Sequence, residues 1–206
     1  KLTNFFTDQA SVRHVPKTAI VVLNYNGWKD TIACLESLEK INYPQFEIIV
    51  VDNGSTDISW NELTRWIANR FPQAALLQSG ANLGFAGGNN VGIREALKRG
   101  ADYVWILNND TVVDAQCLES MIGLAESDPK IGLVGSTIYY HHDPQKIQCL
   151  GGGYINHCLG SSRFARYKAN GHAPRRPLDY INGASLLARS AVIKNIGLFD
   201  QKFFIY

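Results

Sequence analysis

Two apolar, β-branched runs, TAIVVL at 18–23 and FEIIVV at 46–51, most limit what this chain can fold into. Each is continuously apolar instead of alternating, the pattern of a strand covered on both faces. Each leads into a turn rich in Asn, Asp and Gly and then into a stretch with helical spacing. Ile32, Leu35, Leu38 and Ile41 mark a helix around 30–41, with Asp30 as its cap. Trp60, Leu63, Ile67 and Phe71 mark a second helix. A short strand at 75–78 follows, then a helix through Ile93, Ala96 and Leu97 that ends at Gly100, where a left-handed cap is cheap. YVWIL (103–107) is another buried strand, 115–127 a helix capped by Asp114, and IGLVGSTI (131–138) a further strand.

Strands separated by helices of this length imply an α/β fold, with a mostly parallel central sheet and helices on both faces. From 139 to 183 the regularity fails, and the stretch reads as a hairpin-bearing insertion, not a domain of its own. ASLLAR (184–189) resumes as a strand and AVIKNIG (191–197) as a short helix. At 206 residues one domain with a substantial core is expected.

In such sheets ligands bind beyond the carboxyl ends of the strands, so the loops after 23, 51, 78 and 107 are the places to look. Asp52 ends the second strand in VVDNGSTD. Capping of the following helix is open to Ser55, Thr56 or Asp57, which leaves Asp52 to accept from a nucleobase N–H or a ribose hydroxyl, with Asn53 and Ser55 ordering the loop. NLGFAGGNN (82–90) combines glycines with a helix start. Its backbone N–H groups are expected to approach a phosphate or sugar, against the plainer reading of a tight turn. Asn89 and Asn90 suit sugar hydroxyls, or act as caps. ILNNDTVVD sets Asn108, Asn109 and Asp110 at a strand end, where Asp110 is the candidate ligand for Mg²⁺ or Mn²⁺. Such an ion asks for one or two carboxylates, with phosphate oxygens and water completing its shell.

Several classes are excluded. The first turn reads LNYNGW, without the GxGxxG of a dinucleotide-binding fold, and GxxxxGK[ST] occurs nowhere. The same turn lacks the glycine-rich basic loop expected of a sugar nucleotidyltransferase. A net charge of +2 gives no electrostatic case for a nucleic-acid partner. Arg163, Arg166, Lys168, Arg175 and Arg176 concentrate positive charge late in the chain, read either as a solvated loop or as a contact for phosphate or an anionic membrane surface. No apolar run approaches the roughly 20 residues that span a bilayer. Cys34, Cys117, Cys149 and Cys158 are widely spaced, which favours free thiols, and they form no metal motif with His141, His142 or His157. The first residue is Lys1, and the stretch before 18 reads as an N-terminal extension of a piece of a longer chain.

Four segments together, VVLNYNG, VVDNGSTD, NLGFAGGNN and ILNNDT, resemble family 2 glycosyltransferases of GT-A type, the nucleotide-diphospho-sugar transferase fold. YINGASLLARSAVIKNIGLFDQKFFIY looks like the family's acceptor-side segment. Each is weak singly, but the ordered set over 18–206 is specific. The resemblance implies a nucleotide-sugar half at 18–138 and an acceptor side at 139–206. It implies that Asn24, Tyr25, Asn26 and Asp52 hold the nucleoside, that Asn82, Gly84 and Asn89 line the donor pocket with Asn108 and Asn109, and that Asp110 binds the metal. Asn108 departs from the first aspartate of the DxD motif, a form familiar in the rhamnosyltransferase-like branch.

That branch implies an inverting hexosyl- or rhamnosyltransferase using a dTDP- or UDP-sugar, with dTDP-rhamnose among the candidates. The acceptor would be a glycan or a lipid-linked saccharide of a bacterial cell envelope, and the protein cytoplasmic, at the inner membrane face. In relatives an acidic pair soon follows FFxY and supplies the base. This sequence ends at Tyr206, so the natural chain is expected to continue. Asp200 is a weak candidate for the base. The alternative is a non-catalytic or degenerate nucleotide-sugar-binding domain of a larger protein.

Overall fold

The two apolar runs become adjacent inner strands of a six-stranded sheet. The structure is a computed structural model describing residues 14–167 and 177–204. The extension through Arg13, the basic residues Lys168, Arg175 and Arg176, and the final Ile205 and Tyr206 lie outside the described residues. In chain order the first elements are β1 (Thr18–Asn24), α1 (Trp28–Leu38), β2 (Phe46–Asp52), α2 (Ser59–Arg70), β3 (Ala75–Gln78) and α3 (Gly84–Lys98). Then come β4 (Tyr103–Asn108), α4 (Cys117–Ser127), β5 (Leu133–Gly135), β6 (Thr137–Tyr140), β7 (Asp143–Leu150) and β8 (Gly152–Asn156). The last are β9 (Ser161–Phe164), β10 (Tyr180–Ile181), β11 (Ser185–Arg189) and α5 (Ser190–Ile196).

The sheet order is β3-β2-β1-β4-β11-β5. The first four strands run parallel, and β11 enters antiparallel between β4 and β5. The chain winds outward from β1 to β3 and then returns past β1 to β4. Right-handed crossovers therefore put α3 on the opposite face from α1 and α2. The packing follows: Leu35, Leu38, Leu63, Ile67, Leu118 and Met121 of α1, α2 and α4 meet Ile20, Val22, Ile48, Val50 and Trp105. Ile93 and Ala96 of α3, with Ile193 of α5, meet the alternate residues Ala19, Val21, Ile49, Val51 and Val104. Both faces of each inner strand are thus covered, which is why the runs show no alternation. A fully buried side chain such as Leu35 or Ile48 contributes about 1.5–3 kcal/mol of transfer free energy. Trp105 is wholly buried, and its Nε1–H is satisfied by Ser185 Oγ at 2.9 Å.

Glycines set how closely α3 lies on the sheet. A Cβ on Gly92 would stand 2.3 Å from Val21 Cγ1, and one on Gly88 2.5 Å from Leu23 Cδ1. Most of NLGFAGGNN is therefore helix from Gly84 onward, and two of its glycines serve packing against β1.

Other boundaries differ from the sequence expectation. Gly27, not Asp30, is the N-cap of α1; Asp30 lies in the first turn, and Ile41 is buried beyond the helix end. Asp114 does not cap α4, whose N-cap is Gln116. Asp114 instead accepts the Gln116 N–H at 2.9 Å and shapes the turn before the helix. IGLVGSTI splits at Ser136, because β5 joins the main sheet while β6 turns away to pair with β7. The irregular stretch holds the β6–β7 hairpin and a three-stranded sheet in the order β10-β8-β9. Gly152 is needed where these strands cross, since a Cβ there would lie 1.9 Å from Tyr180 O.

Candidate functional site

β1, β2 and β4 end side by side, so the turns after them converge. Asn24 pairs in register with Asp52, and Leu23 with Asn108. β2 and β4 are two strands apart, about 10 Å at ordinary strand spacing. Strand order reverses between β1 and β4, the position where open α/β sheets present a crevice.

The residues at this edge fall into two layers. The inner layer is sealed. Asp52 is fully buried, and its Oδ1 accepts from Asn24 Nδ2 at 2.8 Å and Ser55 Oγ at 2.5 Å, while Oδ2 accepts the Ser55 N–H at 3.3 Å. Asn24, also fully buried, accepts from Thr31 Oγ1 at 2.8 Å. Thr31 in turn accepts from Asn109 Nδ2 at 2.9 Å. Asn53 ties the β2 turn to the start of α3: its Nδ2 donates to Asn82 Oδ1 (3.1 Å) and Gly84 O (3.2 Å), and its Oδ1 accepts from Leu83 N (3.1 Å). Gly54 sits at φ +72°, and a Cβ on it would be 2.5 Å from the Ala81 carbonyl carbon, so only glycine lets these loops touch.

The outer layer faces solvent. It comprises Tyr25, Asn26, Asn82 and Asp110. Asn26 has φ 52°, the one positive value outside glycine among the described residues. Asn is the residue that best tolerates that left-handed turn. Its Oδ1 accepts the Thr56 N–H at 2.8 Å and fastens the β1 turn to the β2 turn. Asp57 takes the turn before α2, accepting the Ser59 N–H at 2.9 Å.

The start of α3 differs from expectation. The Gly84 N–H is held by Asn82 Oδ1 at 2.9 Å, and the Phe85 N–H by Phe204 O at 2.6 Å. These amides are thus engaged within the protein instead of facing a phosphate. Asn90 does not present itself to a sugar: it donates to Phe199 O (2.8 Å), accepts from Phe199 N (3.1 Å), and so clamps the C-terminal segment onto α3. Asn89 is buried, donates to Phe85 O at 2.9 Å, and leaves Oδ1 without a partner. A buried unpaired acceptor costs about 1–3 kcal/mol, and a ligand hydroxyl or a water answers it. Asp200 is exposed, and its Oδ1 closes a turn on the Lys202 N–H at 3.0 Å.

Asp110 is exposed just past β4, on a loop held from behind. Thr111 Oγ1 donates to Asn108 O at 2.8 Å, and the Cys34 thiol points at the same carbonyl from 3.8 Å. Burial pushes the Cys34 thiol up to about 12, against a lowering by its Thr111 partner. It is therefore a neutral packing group at physiological pH. No cluster of three His, Cys, Asp or Glu side chains exists among the described residues. The donor set is one accessible carboxylate with amide neighbours. That fits a hard divalent ion completed by phosphate and water, and no soft-metal site.

A cavity of about 380 Å³ lies at the other end of the sheet, lined by Asp102, Tyr103, Glu126, Arg189 and Lys194 among others. There Arg189 meets Glu126 at 3.0 Å and Ala125 O at 2.7 Å, and Tyr103 donates to Glu126. Burial raises the Tyr103 phenol, and the Tyr103 and Arg189 hydrogen bonds lower the Glu126 carboxyl. Its central charges are matched within the protein, which marks a structural network and not a reactive site.

A family model described as "Glycosyl transferase family 2" matches residues 19–194. The chain belongs to glycosyltransferase family 2. Among its relatives, the low-salt glycan biosynthesis hexosyltransferase Agl10 of Haloferax volcanii is 23% identical over 91% of this chain and 57% of its own length. The N-acetylglucosaminyl-diphospho-decaprenol L-rhamnosyltransferase of Mycobacterium tuberculosis is 24% identical over 91% of this chain and 66% of its own. The glycosyltransferase chain thus spans less than two thirds of the length of these relatives. The mannosyltransferase PcManGT of Pyrobaculum calidifontis, solved with GDP-Man and Mn²⁺, superposes with a TM-score of 0.68 at 18% identity, over 92% of this chain and 49% of that one. TarS 1-349 of S. aureus in complex with UDP gives 0.64 at 19% identity, over 91% and 51%. The fold is of GT-A type.

Thr31 escaped the sequence reading because its helical spacing and small size mark it as an ordinary helix residue. Only the convergence of β1, α1 and the β4 loop adds Asn24 and Asn109 to the Gly27 carbonyl as partners of its hydroxyl.

Proposed function

We propose that this glycosyltransferase chain moves a hexosyl or rhamnosyl group from a dTDP- or UDP-sugar, dTDP-rhamnose foremost, to a glycan or lipid-linked acceptor in cell-surface polysaccharide synthesis. The observation that carries the reading is the placement of an acid at the end of β2, Asp52, and an accessible acid beyond β4, Asp110, on either side of the end of β1. The separation of two strands, about 10 Å, suits a nucleoside on one side and its diphosphate on the other. The rhamnosyltransferase relative supports the rhamnosyl and lipid-linked reading. The domain division we favour is an extension at 1–17, a nucleotide-sugar half at 18–138 and an acceptor side at 139–206.

In this reading Tyr25 and Asn26 flank the nucleoside, and Asp52 accepts from the base through the remaining lone pair of Oδ2 once the Ser55 loop yields. Asn108, Asn109 and Asn82 frame the diphosphate and sugar, with Gly84 holding the turn behind Asn82, and the unfilled Oδ1 of Asn89 accepts from a sugar hydroxyl. Asp110 holds Mg²⁺ or Mn²⁺, and the ion supplies charge neutralisation for the departing diphosphate. In one in-line step the acceptor oxygen would bond to the anomeric carbon as the bond to the diphosphate breaks and a base takes the acceptor's proton, which would invert the configuration. Asp200 closes a turn through Oδ1 and keeps Oδ2 exposed, so it stays a weak candidate for the base.

No helix among the described residues is long and apolar enough to cross a membrane. Peripheral attachment at the inner membrane face is supported by a cleft of about 530 Å³ at β9, lined by Ser162, Arg163, Phe164, Arg166 and Tyr180. Leu159 and Tyr167 are exposed close by in sequence. Apolar side chains beside guanidinium groups suit an anionic lipid surface.

The test is thermal stabilisation by UDP, dTDP, GDP and CDP, each with and without Mn²⁺. A ligand at a hundredfold excess over its Kd adds about 2.7 kcal/mol, so modest affinity registers. A metal-dependent shift for dTDP or UDP that disappears in Asp110→Ala supports the reading; no shift with any of the four overturns it in favour of a degenerate domain.

A further inference from the structure

The buried hydroxyl of Thr31 lies between the two sides of the site. It occupies the first turn of α1, is fully buried, and has Asn24 Oδ1 at 2.8 Å, Gly27 O at 3.0 Å and Asn109 Nδ2 at 2.9 Å. The direction of the hydrogen bonds is forced. Asp52 is an acceptor, so Asn24 must turn its amide N–H₂ toward Asp52 (2.8 Å) and Ser55 (3.1 Å). The Asn24 carbonyl oxygen then faces Thr31 and, at 2.8 Å against 3.0 Å for Gly27 O, takes the larger share of the one hydroxyl proton. That leaves the Thr31 oxygen to accept from the Asn109 amide. One polarised chain therefore runs from Asn109 through Thr31 and Asn24 to Asp52, and each link strengthens the next in a low-dielectric interior. Asn109 adjoins Asp110, so the chain connects the loop that carries the accessible acid to the loop that carries the sealed one.

The space around the chain is tight. A Cβ on Gly27 would stand 3.0 Å from Asn109 Nδ2, so a side chain at 27 would crowd the Asn109 amide that glycine leaves in place.

We infer that Thr31 is a positioning residue that couples the loop of Asn109 and Asp110 to the nucleoside loop of Asn24 and Asp52, so that a divalent cation at one tunes affinity at the other. The inference rests on the donor-site reading. A single hydroxyl does this because it alone both donates toward Asn24 and accepts from Asn109. Valine has its shape and neither capacity, while serine keeps both.

The experiment titrates UDP, dTDP and GDP with and without Mn²⁺ into the wild-type chain, Thr31→Val and Thr31→Ser. The quantity read is the ratio of the two affinities. A packing defect weakens both affinities alike and leaves the ratio unchanged. Coupling through Thr31 lowers the ratio about fivefold in Thr31→Val, near the lower end of ordinary allosteric coupling, and keeps Thr31→Ser within about twofold of wild type. A ratio in Thr31→Val within about twofold of wild type overturns the inference. Should Thr31→Val fail to fold, Asn109→Ala cuts the same chain at its other end and is expected to lower the ratio likewise; an unchanged ratio there is equally decisive against it. A readout without nucleotide completes the set: Mg²⁺ alone shifts the Asn24 side-chain amide resonances in the wild type and not in Thr31→Val. If the wild type binds none of the three nucleotides, the donor-site reading fails and takes this inference with it. If it binds with metal enhancement that Thr31→Val retains, only the inference fails.

Discussion

The two ends of the same sheet are built from different chemistry. At the amino end, charges meet partners: Arg99 with Glu95 at 2.7 Å and Glu47 at 3.5 Å, Arg189 with Glu126 at 3.0 Å, and the Lys17 N–H with Asp102 at 2.9 Å. At the carboxyl end the side chains are largely amides and hydroxyls in chains, with Asp110 exposed just past β4 and a buried acceptor, Asn89 Oδ1, left open. The first arrangement is dominated by paired charges, although Thr18 Oγ1 there has no hydrogen-bond partner. The second holds its geometry while keeping capacity for a ligand. Ion pairs at a half-exposed edge contribute modestly to stability, whereas an ordered set of neutral groups can be aimed at low electrostatic cost.

Breaking the open end should have the largest consequence. Asp110→Ala is expected to lower sugar transfer by about 10²–10³-fold or more, with little change in Tm because the side chain is exposed. Donor-turnover kinetics and calorimetry together check this, and a large fall in Tm would count against the comparison. Next comes Gly92→Ala, whose Cβ would press on Val21 Cγ1 from 2.3 Å. It should cost about 1–3 kcal/mol in denaturant unfolding, the usual range for overpacking. Asp52→Ala leaves the buried Asn24 and Ser55 donors unanswered and should cost a similar amount, about 1–3 kcal/mol, while also weakening nucleotide affinity.

At the amino end, Glu126→Gln should cost only about 0.2–1 kcal/mol at pH 7 and leave nucleotide Kd unchanged. Its pH dependence sharpens the point. The Glu126 carboxyl is lowered in the folded state, first by the Tyr103 hydrogen bond and then by Arg189. Its contribution is complete above the unfolded value of about 4.3 and is lost as pH falls through the depressed folded value. The stability gap between wild type and Glu126→Gln should therefore close in acid and stay constant from neutral pH upward. The smallest expected effect is none at all. With its thiol pushed up to about 12 by burial, Cys34 should stay unalkylated at pH 8 while the exposed Cys158 reacts, as peptide mass spectrometry would show.

Much of this molecule was legible before any coordinates. The runs at 18–23 and 46–51 reported strands covered on both faces, and the helices between them required parallel crossovers. Asp52 and Asp110 could be placed at strand ends because Asp52 directly follows an apolar run and Asp110 lies three residues past one. Periodicity reports which face of an element is buried, and in the inner strands it did so without ambiguity. Caps were less legible. Asp30 and Asp114 carry the chemistry of a cap, yet Gly27 and Gln116 hold the position, since the exact turn at which a helix begins depends on where the preceding strand delivers the chain.

What the sequence determined by itself was the order of strands and helices through α4, the fold class, and the motifs that gather at the carboxyl edge. Tertiary structure alone decided which of those residues are sealed and which are open: Asp52 buried and Asp110 exposed, Asn90 spent on Phe199, Asn89 with an acceptor to spare. It alone also brought Asn109 to the Thr31 hydroxyl. The reason is physical. Periodicity is a local property of one element, whereas a side chain's partners come from elements distant in sequence: 78 residues separate Thr31 from Asn109 and 109 separate Asn90 from Phe199.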